Sequence, residues 1–137
     1  MPIWEVHRKI YKMFGISEEI SRNIDSLVDN LGDIESLLGK IDDKELIEIF
    51  RAYQEMLSNN LHDAPLKYPE ALYIYLCLAY KLHGEDGVKA LYLHYIIDYL
   101  NPFANWALMK EHMMRRRIAM AEDFMKRMLN KIYKQNC

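Results

Sequence analysis

The sequence predicts an all-α protein, a helical bundle of four to five principal helices with a further helix at the N-terminus. Three observations carry this. The 137 residues contain no threonine and only three valines, whereas Leu, Met, Lys and Glu are plentiful, a choice that favours helix over sheet. Apolar residues recur at three- and four-residue spacing through most of the chain. The glycines Gly15, Gly32, Gly39, Gly84 and Gly87 fall where that pattern stops or restarts, the expected place for caps and turns.

The N-terminal helix is expected over 3–14, with Ile3, Val6, Ile10 and Met13 on one face and Gly15 as its stop. Ser17 should cap a helix over 17–31, placing Glu18 and Glu19 in the first turn, where carboxylates suit the helix dipole. Its stripe is Ile20, Ile24, Leu27 and Leu31. After a short turn over 34–38, Asp42 and Glu45 have capping-box spacing and open a helix over 43–59, with Leu46, Phe50, Tyr53 and Leu57 inward. The segment SNNLHDAPLKYP reads as a connector. Pro69 suits the first turn of a helix over 69–83, and GEDG links it tightly to another over 86–100. Asn101-Pro102 then breaks the chain and starts a last helix over 102–134, inside which no breaker occurs.

Two of these helices define the architecture. Residues 71–82 are apolar nearly all round, leaving a strip of Glu70, Cys77 and Lys81; residues 88–100 leave only His94, Asp98 and Asn101. A helix apolar on most sides is covered on most sides, so the two should form an antiparallel hairpin in the middle of the bundle. Seven of the ten tyrosines lie between Tyr68 and Tyr99, expected at the margin of the core, where their hydroxyls find partners.

The length fits one domain over 1–137. No apolar run approaches the ~20 residues needed to span a bilayer, and the N-terminus lacks a secretory pattern, so a cytoplasmic protein is expected. Cys77 within an apolar helix and Cys137 at the end form no CxxC or Cys/His spacing, which predicts unpaired thiols rather than a disulfide framework. The net charge of −2 is uneven: residues 1–70 carry 8 basic and 14 acidic side chains, residues 71–137 carry 10 and 6. Such asymmetry suits self-association as well as nucleic-acid binding.

The last helix is where a partner is expected. The stretch LMKEHMMRRRIAMAEDFMKRM holds six of the nine methionines. Placed at 100° per residue, Trp106, Met109, Met113, Met114, Met120, Phe124 and Met128 fall on an apolar arc wider than one packing partner requires. Lys110 and Arg117 lie on one line within that arc, where a cation must snorkel or pair. These residues form the predicted interface of a homodimer, or of a complex with another protein. Arg115, Arg116 and Arg117 point in three directions and make no basic patch, but Arg116, Arg127 and Lys134 align on the polar face. That stripe gives the alternative reading, a nucleic-acid-binding or regulatory protein.

Chemistry is sparse. No phosphate-binding glycine motif, Glu-x-x-His pair or evident nucleophile is present, so no catalytic residue, metal ligand set or cofactor is predicted, and the leading reading is non-enzymatic. His94 and Asp98 stand one turn apart, expected as a satisfied polar pair, with a carboxylate orienting an imidazole or sharing a metal with it as the functional readings. His83 beside Gly84 suits a helix C-terminus. The pair His62-Asp63 in LHDAPLK resembles that of the all-helical HD phosphohydrolases. The resemblance implies a metal held by both, with an upstream histidine and a downstream aspartate; the only upstream histidine, His7, departs from the family's spacing, and Asp98 is the downstream candidate. The resemblance covers two residues and gives the third reading, a metal-dependent hydrolase.

Overall fold

The computed structural model describes residues 4–29, 34–56, 69–100 and 110–119, and within these the protein is all-α with no strand. Helix α1 spans Trp4–Met13. It closes in a Schellman turn: the Ile16 N–H donates to the Tyr11 carbonyl (3.0 Å) and the Gly15 N–H to that of Lys12 (3.1 Å), with Gly15 at φ 75°. Ile16, just beyond the turn, is buried. Helix α2, Glu18–Asp29, starts as its sequence predicts, the Ser17 hydroxyl accepting from the Ile20 N–H at 3.3 Å. Helix α3, Ile34–Leu38, leads into α4, Lys44–Met56. The cap of α4 differs from expectation by one residue. Asp43, not Asp42, accepts from the N–H three positions on (Leu46, 3.0 Å), because the first helical residue is Lys44. A two-pronged Arg51–Glu35 pair, 2.6 and 2.9 Å, ties α4 to α3 on the surface.

Helix α5, Pro69–Leu100, holds the expected hairpin. Gly84, at φ 63° and ψ −143°, breaks it into two arms, 69–83 and 85–100, a conformation that an L side chain resists. Gly87 then lies against the backbone of Ala79, where a Cβ would overlap the Ala79 carbonyl. That approach is open only to glycine and brings the second arm back across the first. Residues 74–79 and 90–97 are buried without interruption, so both arms are wrapped by the other helices, most extensively by α2. Among the described tyrosine side chains of this segment, Tyr75, Tyr92 and Tyr95 are buried in the core, Tyr73 packs at its margin as expected, and Tyr80 is exposed.

Two further differences appear. Lys110 is not helical, and its carbonyl accepts from the N–H groups of Met113 and Met114, both at 3.0 Å. Helix α6, over the described residues 111–119, therefore starts after Lys110, so one continuous helix over 102–134 does not hold at that residue. Met114 and Ile118 dock α6 on the core, and no breaker in the sequence marks its start. Cys77 is buried as expected but is disulfide-bonded, against the expectation of an unpaired thiol; the only other cysteine, Cys137, lies outside the described residues.

Candidate functional site

Three helices each bring a polar pair at i,i+4 spacing into the interior: His7 and Tyr11 from α1, Asp25 and Asp29 from α2, His94 and Asp98 from the second arm of α5. Pairs at this spacing share one helix face, and here each interrupts the apolar face that packs inward. His94 is the hub. Its Nδ1 lies 2.9 Å from Asp25 Oδ1, and its Nε2 lies 3.3 Å from Asp98 Oδ2 and 3.8 Å from Asp29 Oδ1. His7 Nε2 meets Asp98 Oδ1 at 3.1 Å, and the two imidazole rings are 4.8 Å apart. The Tyr11 hydroxyl donates to Asp25 Oδ1 at 3.1 Å. His7, Asp25 and His94 are at most 4% exposed, while Asp29 and Asp98 sit at the edge of the cluster.

Burial of this much charge shapes the electrostatics. Burial opposes the imidazolium of His94, but hydrogen bonds to Asp25 and Asp98, together with their charge, outweigh it and raise its pKa from 6.5 to about 9. Tyr11 is driven well above the ordinary phenol value by burial first, then by the charge and hydrogen bond of Asp25. Tyr75 is pushed up to about 12 by burial and by Asp29. A buried network like this is tolerated only when its members satisfy one another. It supplies two ring nitrogens and a carboxylate, from His7, His94 and Asp98, whose donor atoms all lie within 4.8 Å of one another. Those donor types can bind a divalent metal.

Sequence reasoning identified the His94–Asp98 strip but not its partners. The legible signal was the repeated i,i+4 polar pair on otherwise apolar faces; which pairs meet is decided by three helices far apart in the chain. His7 and Asp98, the two outlying positions required by the HD resemblance, do come together, while His62 and Asp63 lie outside the described residues. His83 contacts the Asn23 amide across helices, Nε2 to Nδ2 at 2.9 Å, and burial lowers its pKa.

The predicted interface divides. Met114 belongs to this chain's own core, with Ile118, and is not available to a partner. Lys110, Met113 and Arg117 form a stripe that faces outward, Met113 with 43% of its surface exposed. Arg117 thus reaches solvent instead of being embedded. Trp106, Met109, Met120, Phe124 and Met128 lie outside the described residues, as do Arg127 and Lys134 of the basic stripe; Arg116 is exposed. Arg115 is committed to the fold. It pairs with Glu111 (3.2 Å), donates to the Met13 carbonyl (3.0 Å) and stands 5.9 Å from the centre of the Phe14 ring. Lys89 reinforces the same helix end, donating to the Phe14 carbonyl at 3.0 Å. The two cations fasten α6 and the second arm of α5 to the C-terminus of α1.

No helix among the described residues is long and apolar enough to cross a membrane. Compared with known proteins, the chain matches no family model, no curated protein and no solved structure at a significant level.

Proposed function

We propose that the protein is a non-enzymatic assembly module that self-associates through its C-terminal region. The observation that carries the reading is the division of α6: Met114 and Ile118 dock inward while Met113 stays 43% exposed between exposed Lys110 and Arg117. The Arg115 clamp supports it, because a helix fixed to the bundle presents its outer stripe at low entropic cost to a partner. Methionine offers an adaptable contact there, and the flanking cations can set register. A second copy of the chain, whose acidic N-terminal half would meet this basic C-terminal one, is the partner that the charge distribution favours. A cytoplasmic location belongs to the same reading, with the Cys77 disulfide as its counterweight, since such bonds persist mainly in oxidising compartments.

The test is native mass by light scattering after size exclusion, over a wide concentration range, for the wild type and Met113→Glu. A wild-type dimer that becomes a folded monomer on substitution is expected. A monomer at all concentrations, or a dimer indifferent to the substitution, overturns the proposal.

A further inference from the structure

The interior cluster shares no residue with the proposed interface. We infer that His7, His94 and Asp98 form a binding site for one divalent cation of the zinc class, with Asp25 as the outer partner that orients His94.

The spacing of the donors is close to that of a metal centre. Zinc bound at about 2.0–2.2 Å in a tetrahedron places neighbouring donor atoms about 3.3–3.6 Å apart. His7 Nε2 lies 3.1 Å from Asp98 Oδ1 and His94 Nε2 lies 3.3 Å from Asp98 Oδ2, and one donor atom from each of the three residues falls within 4.8 Å of the others. Small side-chain rotations bring these three donors around one point and leave the fourth tetrahedral position to water or to Asp29, whose Oδ1 lies 3.8 Å from His94 Nε2. The outer contacts also match. A metal-bound histidine characteristically gives its second ring N–H to a carboxylate, which fixes the ring and leaves the other nitrogen for the metal. His94 Nδ1 faces Asp25 at 2.9 Å, and Asp25 is itself held by the Tyr11 hydroxyl at 3.1 Å. Charge supplies the third argument. Asp25, Asp29 and Asp98 converge on His94, and a divalent cation balances carboxylate charge there. Two nitrogen donors with a carboxylate favour zinc-class metals over calcium or magnesium, which prefer oxygen ligands. The burial of the ligands suits a closed, structural centre joining α1, α2 and α5.

The full chain, stripped with a chelator and dialysed, is titrated with Zn2+ by calorimetry and with Co2+ by visible absorption. One equivalent per chain, tetrahedral cobalt bands and a higher melting temperature with Zn2+ are expected. Asp98→Asn should abolish the tetrahedral bands, and Asp25→Asn should weaken binding about 10–100-fold. Glu35→Gln, on the surface, should leave Zn2+ binding unchanged. Should the site variants fail to fold, histidine nitrogen NMR of the wild type decides: Zn2+ must shift the Nε2 resonances of His7 and His94. Absence of stoichiometric binding, unchanged histidine resonances, or binding indifferent to Asp98→Asn in folded protein overturns the assignment and leaves a hydrogen-bonded histidine–carboxylate network in its place.

Discussion

The two arms of α5 look alike as sequence and differ as structure. Each is apolar on most sides with a narrow polar strip, Glu70, Cys77 and Lys81 on the first and His94 and Asp98 on the second. On the first arm Glu70 and Lys81 reach solvent, and only Cys77 is covered. On the second arm the strip turns inward and meets His7, Asp25 and Asp29. A polar strip on a helix therefore reports that something polar faces it, and water and a buried carboxylate satisfy that requirement equally. The distinction is energetic: Lys81 is screened by solvent, whereas removing one partner from the buried cluster leaves charge stranded at low dielectric.

Matched substitutions break the comparison most sharply. In chelator-treated protein, His94→Ala should cost about 3–5 kcal/mol, as expected when a buried ion pair loses one member. Lys81→Ala on the other strip should stay within about 0.5 kcal/mol. Urea unfolding measures both, and similar values would mean that the two strips share one environment. Alkaline titration comes next. The phenols of Tyr11 and Tyr75 stay protonated in the folded chain above the pH at which unfolded tyrosine ionises, near 10. The unfolded state then binds fewer protons, so stability falls as pH rises from about 10 to about 12, and Tyr75 alone contributes on the order of 2–3 kcal/mol by the upper end. Ultraviolet absorbance should show late-ionising tyrosines whose titration coincides with the loss of helical signal. The smallest effect concerns the join between the arms. Gly84→Ala, at φ 63° and ψ −143° with open space around a Cβ, should cost about 1–3 kcal/mol from backbone strain alone. Gly87→Ala should cost more, since its Cβ meets the Ala79 carbonyl. Thermal melts that reverse this order would show that the arms do not touch at Gly87.

Much of the fold was legible because it rests on local rules. Ser17 caps α2, Gly15 closes α1, and Gly84 breaks α5, each through the chain's own backbone geometry. The site was legible only in halves. His94 and Asp98 are one turn apart and readable as a pair, but His7 and Asp25 stand 91 and 69 residues from the groups they contact. The apparent basic run Arg115–Arg117 resolved likewise, into one cation clamped on Phe14 and two left to solvent.

The sequence by itself determined the helical class, the caps and the placement of an apolar hairpin at the centre, since propensity, periodicity and capping act within a few residues. Only the tertiary structure decided that three polar pairs converge inside the protein, that Met114 faces in while Met113 faces out, and that Lys110 stands outside the helix that follows it. Those outcomes depend on which helix faces meet, and the free energy of that meeting comes from desolvation and charge pairing between segments whose spacing along the chain carries no record of it.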